Sequence, residues 1–257
     1  MADRPRPTIR QFADPEELSH AAAEAFCRIG RDAVAARGRY DVVLSGGSSP
    51  RRTYELLAAE YREQLTWERV QFFWGDERAV PPRDKNSNFG MARDALLDPL
   101  AISREQIHRI EGEREDLDAA AREYQDEIAR ILVEPPDGPP PAFDLVLLGM
   151  GADGHTASLL PGSSALDESE RWVVAQHAPS LGADRVTMTP PVFNAARHVL
   201  FLVAGRDKAE MLAQVIEGPQ DPRRLPAQAI QPAPGDIAWF VDRLAAANLN
   251  DDGARRL

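Results

Sequence analysis

Hydrophobic positions along the chain follow two alternating patterns, one with helical spacing and one of short, continuous apolar runs. Between about Pro15 and Arg37, apolar side chains recur at helical intervals, at Leu18, Ala22, Phe26, Ile29 and Val34. This periodicity predicts a first helix. The run YDVVLS at 40–45 predicts the buried strand that follows, and two glycines end it.

The same alternation continues along the rest of the chain. Further helices are predicted from Pro50 through Leu57, from Asn88 as the capping residue to Leu97, from about Asp116 to Leu132, and from Asp207 to about Ile216. Further strands are predicted at 70–74, 107–110, 143–149, 172–176, 186–189 and 198–203. This order is typical of an α/β fold with a single doubly wound, mostly parallel sheet and helices on both faces.

The breaker residues indicate one domain over residues 1–257. The strongest breaker run, EPPDGPP at 134–140, is interpreted as a surface loop because an apolar strand pattern follows it at once. A second irregular loop is predicted at 219–235, and residues 248–257 are predicted to form a frayed tail. The sequence contains no evident internal repeat.

Composition and charge narrow the class of protein. The 257 residues are 43% hydrophobic, which is enough for a substantial core, and carry a formal net charge of −11. Nucleic acid is therefore not expected as a partner, although a local basic pocket can still bind a small anion. Cys27 is the single cysteine, and no long apolar segment or signal sequence is evident, so a cytoplasmic protein without membrane or obligate protein partners is expected.

Three polar loops begin where predicted strands end: SGGSSP, WGDER and GMGADGHT. In a parallel sheet these loops meet at one edge, where ligands bind. The third contains a literal G-x-G-x-x-G, but Pro161 and Gly162 cut the following helix short. A dinucleotide site also needs an acidic residue about 20 positions after the glycines, at the end of the next strand. Glu168 and Glu170 have this separation, but they precede the next predicted strand. A dinucleotide site is therefore not favoured.

Each loop has a chemical and a structural interpretation. Asp153 and His155 suit general acid–base chemistry, although a loop histidine can also be purely structural. The glycines and hydroxyls of SGGSSP suit a phosphate, although the segment can be an ordinary strand-to-helix turn. The charged residues of GDER can form a site or a solvated surface. No Cys/His cluster has the spacing of a metal site.

Together the motifs SGGSSP, FFWGDER with NSNFG, FDLVLLGMGADGHTASLLPG, RVTMTPP and AGRDKAEML closely resemble the 6-phosphogluconolactonases. These enzymes belong to a larger group that also contains the glucosamine-6-phosphate deaminases. The resemblance runs from about Ser45 to Leu212. It implies hydrolysis of 6-phospho-D-glucono-1,5-lactone to 6-phosphogluconate, the second step of the oxidative pentose phosphate pathway, without a metal or organic cofactor.

The resemblance also implies residue roles. His155 resembles the general base that activates water, and Asp153 its support. The residues that resemble a phosphate clamp are Gly46, Gly47, Ser48, Arg185 and Lys208. Arg78 resembles a second cation near the lactone or the phosphate, and Asp76 is a further catalytic candidate.

Three alternatives stay open at this point. A related isomerase or deaminase would need an added acid after the histidine, and 156–160 contain none, although Asp76 remains available as a base. A phosphosugar-sensing regulator would need a DNA-binding module, for which the segment before Ala21 is too short. A serine nucleophile would need a G-x-S-x-G elbow, which SGGSSP lacks.

Overall fold

The structure is a computed structural model that describes residues 7–133, 138–177, 182, 184–233 and 235–250. Its strands, in chain order, are β1 (Thr8–Phe12), β2 (Tyr40–Leu44), β3 (Val70–Trp74), β4 (Asp76–Arg78), β5 (Ile107–His108), β6 (Leu145–Leu148), β7 (Val173–Gln176), β8 (Arg185–Met188), β9 (His198–Val203) and β10 (Asp236–Asp242). Its helices are α1 (Pro15–Arg37), α2 (Ser48–Ala59), α3 (Asn88–Ala92), α4 (Leu117–Leu132), α5 (Pro190–Ala195) and α6 (Ala209–Glu217).

Seven strands form a central sheet in the order β1-β10-β9-β6-β2-β3-β5, and every neighbouring pair is parallel. Every residue of β2 and β6 is buried, so both faces of the sheet are covered. This burial explains why these strands read as continuous apolar runs rather than as alternating patterns. The predicted α/β class and doubly wound, mostly parallel sheet are confirmed.

The strand order reverses between β2 and β6. From β2 the chain builds outward through β3 and β5, and then returns to add β6 on the other side of β2. Such a switch point opens a crevice at the carboxyl ends of the two strands. The loops that leave these ends are SGGSSP and GMGADGHT.

The structure adds a second sheet to the predicted single one. β4, β8 and β7 form a three-stranded antiparallel sheet, against which α4 packs. The hydrophobic pattern predicts β7 and β8 as strands of the main sheet and 76–78 as loop. A three-residue charged strand such as β4 exists because β8 pairs with it, and its own residues carry no strand pattern.

Capping residues at both ends explain where helix α1 begins and ends. Asp14 caps α1 by accepting from the backbone N–H groups of Glu16 and Glu17, and Gly38 ends it in the left-handed conformation at φ 76°. The bounds of this helix match the prediction. α1 packs against α2, which begins at Ser48, two residues before the predicted start.

Other boundaries differ from the predictions. Ser87, rather than Asn88, caps α3, because its side chain accepts from the backbone of Gly90; a π-helical turn continues the helix over Arg93–Leu97. Residues 248–250 are not frayed: Asn248 closes a 3-10 helix, and Asn250 bonds the carboxylate of Glu217. Residues 134–137 of the proline-rich loop and 251–257 of the tail lie outside the described residues.

Two buried tyrosines fix the backbone where the central strands end. The Tyr54 hydroxyl lies 3.0 Å from both the N–H and the C=O of Ser45. The Tyr124 hydroxyl bonds the N–H and C=O of Trp74 in the same way, at 2.8 and 3.1 Å. Strands that separate at the sheet edge lose ladder partners, and each tyrosine satisfies one residue's backbone. The first two site loops therefore leave the sheet from fixed points.

Candidate active site

A histidine–aspartate pair lies in the turn after β6. His155 Nδ1 is 2.6 Å from Asp153 Oδ1, and the His155 backbone N–H donates to the same oxygen at 3.1 Å. Partial burial raises the pKa of Asp153, but these hydrogen bonds and the imidazole charge outweigh it, so the pKa lies below its ordinary value. Within the described residues no group bonds His155 Nε2. An imidazole held this way by Nδ1 presents Nε2 as a proton acceptor.

The turn that carries this pair is a glycine turn without a helix. Gly151 N–H donates to the His155 carbonyl at 2.8 Å, and Gly154 takes φ +83° against Met211 and Leu225. Residues 151–162 are all described and form turns and an isolated bridge between Thr156 and Leu159. The expectation of a short helix after the glycines is therefore wrong. The dinucleotide interpretation, which needs a helix there, loses its remaining support.

The loop after β2 lies against Asn88. Gly47 precedes α2 at φ 106°, and no side chain of the described residues caps the helix, so its first backbone N–H groups point to the loop without such a partner. A Cβ on Gly46 would lie 1.9 Å from Asn88 Oδ1. Asn88 Nδ2 in turn donates to the carbonyl and to Oδ1 of Asp76, at 2.9 and 3.1 Å. Asn88 therefore joins the first loop to the second.

Asp76 is a buried carboxylate, 5% exposed, with both oxygens occupied. Oδ1 accepts from Asn88, while Oδ2 accepts from the Ser158 hydroxyl at 2.6 Å. Arg185 Nη1 lies 3.7 Å from the same Oδ2. Ser158 is three residues beyond His155, so this contact joins the second loop to the third.

Two arginines lie side by side on the antiparallel sheet. Arg78 and Arg185 are direct cross-strand partners of β4 and β8, which puts both side chains on one face. Burial, and the neighbouring charge of Arg78, lower the pKa of Arg185, although Asp76 acts in the opposite direction. Arg78 Nη1 donates to the Asn86 carbonyl at 2.5 Å. The Nε of each arginine is buried and, among the described residues, has no hydrogen-bond partner.

Glu77, which the sequence analysis did not single out, holds the loop between β4 and α3. Its carboxylate accepts from the Ser87 hydroxyl at 3.0 Å and from the backbone N–H groups of Arg78, Asn88 and Phe89, each at 2.8 Å. Burial raises the pKa of Glu77 despite these bonds. Glu77 thus positions Asn88, and its alternating place in the strand directs it away from Asp76.

Among the described residues, Lys208 has no hydrogen bond or ion pair to this network. It ends a 3-10 turn after β9, at the same edge of the sheet. Among the described residues its ion-pair partner is the adjacent Asp207, at 3.2 Å. Asn88 and Ser158 therefore join the three loops that carry most of the other predicted site residues, and Lys208 lies at a neighbouring strand end.

Sequence reasoning missed Asn88 and Ser158 as site residues. Both lie inside quoted motifs, NSNFG and TASLLPG, but their partners are distant in sequence: Asp76 and Ser158 are 82 residues apart. No group of three or more His, Cys, Asp or Glu side chains able to hold a metal occurs among the described residues. No helix in the same set is long and apolar enough to span a membrane.

The fold and these side chains define an α/β enzyme with a histidine–carboxylate pair and adjacent arginines at the switch point of a parallel sheet. The chain belongs to the family of glucosamine-6-phosphate isomerases and 6-phosphogluconolactonases, which matches residues 13–239.

Individual relatives agree with this assignment. A 6-phosphogluconolactonase of Synechocystis is 42% identical over 217 residues, covering 84% of this chain and 88% of the relative. One from Mycobacterium bovis is 39% identical over 247 residues, covering 94% and 98%. The structure of 6-phosphogluconolactonase from Trypanosoma cruzi superposes with a TM-score of 0.85 at 31% identity, covering 96% of this chain and 98% of that one.

Proposed function

We propose that this protein hydrolyses 6-phospho-D-glucono-1,5-lactone to 6-phospho-D-gluconate, the second step of the oxidative pentose phosphate pathway. The observation that carries the proposal is the 2.6 Å contact of His155 with Asp153, at the switch point of a chain that belongs to this family. The reaction needs attack of water at C1, stabilisation of a tetrahedral oxyanion and a proton for the leaving ring oxygen.

His155 supplies both proton transfers in this proposal. Its Nε2 takes a proton from water during attack, and the imidazolium then donates that proton to the ring oxygen. Asp153 holds Nδ1 and stabilises the imidazolium through its negative charge. Its lowered pKa keeps it ionised in this role.

The basic residues hold the phosphate in this proposal. Arg185, Lys208 and the backbone at Gly46, Gly47 and Ser48 form the phosphate clamp. Arg78, beside Arg185, provides a second positive charge for the phosphate or the lactone. Binding energy from a remote phosphate orients C1 toward the water, which is how such contacts raise the rate.

The contacts of Asp76 favour hydrolysis over isomerisation. An isomerase needs a carboxylate that is free to move a proton between two sugar carbons. Both oxygens of Asp76 accept hydrogen bonds, from Asn88 and Ser158, and the residue is buried. We therefore assign Asp76, a catalytic candidate by sequence, to positioning.

A coupled assay tests the proposal. Freshly generated 6-phosphogluconolactone is supplied, and formation of 6-phosphogluconate is followed against spontaneous hydrolysis. We expect a rate proportional to enzyme concentration and well above that background. Turnover of glucosamine 6-phosphate with no acceleration of lactone hydrolysis would support the isomerase or deaminase alternative instead.

The cytoplasm is the proposed location. Cys27 is the single cysteine of the sequence, and it is free and buried. Such cysteine usage suits a reducing compartment.

A further inference from the structure

Ser158 lies between the buried carboxylate of Asp76 and the buried guanidinium of Arg185. Its hydroxyl donates to Asp76 Oδ2 at 2.6 Å and accepts from Arg185 Nη1 at 3.5 Å. The two charged groups themselves are 3.7 Å apart. Ser158 is fully buried, while Asp76 and Arg185 are 5% and 8% exposed.

This spacing is longer than a direct hydrogen bond between the two charged groups. A charge-assisted contact between a guanidinium and a carboxylate normally closes to about 2.7–2.9 Å. Here the Ser158 hydroxyl takes the hydrogen-bonding position on Oδ2 that Arg185 would otherwise use. Asn88 donates to the other oxygen, which fixes the orientation of the Asp76 carboxylate.

The consequence is an arginine whose charge is only partly compensated. Arg185 Nε is buried and has no partner among the described residues, and the neighbouring side chain on the same face is the like-charged Arg78. Glu77, the other carboxylate of β4, is held by Ser87 and the start of α3. Among the described residues, Asp76 is the one carboxylate within ion-pair distance of these two arginines, so their positive charges outnumber it.

We propose that Ser158 is a positioning and specificity-determining residue that keeps Asp76 from neutralising Arg185, and so preserves the affinity of the site for the substrate's phosphate. Without the hydroxyl, Asp76 Oδ2 and Arg185 Nη1 close into a direct ion pair. The anion then has to compete with an internal carboxylate. Because Ser158 belongs to the same loop as His155, the contact also fixes that loop relative to the phosphate subsite.

This inference rests on the proposed function, because it assigns Arg185 to the phosphate. The test measures binding of 6-phosphogluconate and of gluconate by calorimetry, with inorganic phosphate titrated in parallel. We expect Ser158→Ala to weaken 6-phosphogluconate binding by about tenfold, the loss of roughly one charge-assisted contact, and to leave gluconate unaffected. Binding of inorganic phosphate should also be weaker in Ser158→Ala than in wild type.

The decisive variant adds Asp76→Asn to Ser158→Ala. Removing the carboxylate removes the competitor, so the double variant should recover the affinity that Ser158→Ala loses. If Ser158 were only a packing residue, the second substitution would leave affinity low or lower it further. Equal or weaker binding in the double variant than in Ser158→Ala would therefore overturn the proposal.

Two further variants separate this role from folding. Ser163→Ala removes a hydroxyl from the same segment that is buried without a partner among the described residues, so its binding should match wild type. Ser158→Cys keeps most of the side-chain volume but has a weak donor, and it should behave like Ser158→Ala. The proposal would be contradicted if Ser163→Ala also lost phosphate affinity. It would be contradicted as well if Ser158→Cys kept the affinity that Ser158→Ala loses.

Failure of the two proposals can be told apart. A wild-type protein that does not accelerate lactone hydrolysis would overturn the proposed function. Binding of inorganic phosphate can be measured without turnover. Comparing its affinity in wild type, Ser158→Ala and the double variant therefore tests the role of Ser158 separately.

Discussion

A Cβ on Gly151 would lie 2.2 Å from Nδ1 of His155 and 2.6 Å from Oδ1 of Asp153. The backbone at 151 thus passes directly against the hydrogen bond that joins the two side chains. The first glycine of the motif, Gly149, has no atom within 4 Å of its would-be Cβ. Glycine is required at 151 by the catalytic pair, which explains that part of the G-x-G-x-x-G match without a nucleotide.

Gly151→Ala should therefore damage catalysis and spare phosphate binding. The added methyl displaces the imidazole from Asp153, so we expect kcat to fall by about 10²-fold or more while KM changes little. Steady-state kinetics with the phosphorylated lactone measure both constants. Gly149→Ala is the matched control and should retain most activity; equal losses in the two variants would contradict this explanation.

Replacing the histidine tests the assignment of the base. His155→Asn or His155→Ala should lower kcat by about two to four orders of magnitude with little change in KM, because the phosphate clamp is intact. Asp153→Asn should lose less, since it removes only orientation and charge stabilisation. Near-normal kcat in a folded His155→Asn protein would show that another residue acts as the base.

The pH dependence follows from the same pair. The lowered pKa of Asp153 means that this carboxylate keeps its charge as the pH falls, so its electrostatic support of His155 should persist in mild acid. Asp153→Asn removes that charge, so its rate should fall relative to wild type across the acidic range in which Asp153 is ionised. A kcat profile over acidic to neutral pH checks this, and an unchanged profile in Asp153→Asn would argue against electrostatic support by Asp153.

Helices and buried central strands were predictable because their side-chain pattern is local. α1 and β3 match their predicted bounds, since helical spacing and a continuous apolar run are unambiguous there. The edge strand β1 was missed: TIRQF contains three polar residues, and it becomes a strand by pairing with β10. β10 was also missed, because a short apolar run after a long loop does not by itself distinguish strand from other buried structure.

The site was predictable as a set of loops but not as a network. The strand ends and the parallel order bring SGGSSP, GDER and GADGHT together, as expected. The particular contacts depend on tertiary packing: Ser158 meets Asp76 only because the β6 turn lies against β4. Asn88 resembles a helix cap in the sequence, and its bonds to Asp76 cannot be read from that local signal.

The phosphate clamp predicts a specific kinetic signature. Arg185→Ala and Lys208→Ala should each raise KM for the phosphorylated lactone by about tenfold or more, because each removes a charge-assisted contact worth roughly 1.5–3 kcal/mol. Unphosphorylated gluconolactone should be a poor substrate whose hydrolysis is indifferent to both changes. Arg223→Ala, which removes an exposed arginine paired with Asp167, is the control. Equal hydrolysis of both lactones by wild type would refute the phosphate subsite.

Catalysis should not require a metal ion. His155 bonds one carboxylate, and the described residues offer no cluster of metal ligands around it. Lactonase activity should therefore survive exhaustive dialysis against EDTA, measured in metal-free buffer beside an untreated sample. Loss of activity that zinc restores would contradict the proposed mechanism.

At the opposite end of the sheet from the site, Asp41 is the second residue of β2 and a buried carboxylate, 7% exposed. Oδ2 pairs with Arg39 Nε at 2.9 Å, while Oδ1 has no hydrogen-bond partner among the described residues. Burial raises the pKa of Asp41 to about 6; Arg39 acts against this shift and the nearby Asp144 adds to it. The folded protein therefore binds this proton more tightly than the unfolded chain does.

The sign of the resulting stability effect is fixed. The folded-state pKa of Asp41 lies above the unfolded value of 3.8. The stability that this protonated group contributes is therefore fully present below about pH 4 and is lost as the pH rises through about 6. Asp41→Asn removes the ionisable group, so it should be more stable than wild type by about 1–3 kcal/mol at pH 7–8, with the difference vanishing near pH 4. Urea unfolding of both proteins across this range measures the difference. The exposed Asp32→Asn should show no such trend, and an Asp41→Asn protein that is less stable than wild type at pH 8 would mean that the Arg39 ion pair outweighs the cost of burying the charge.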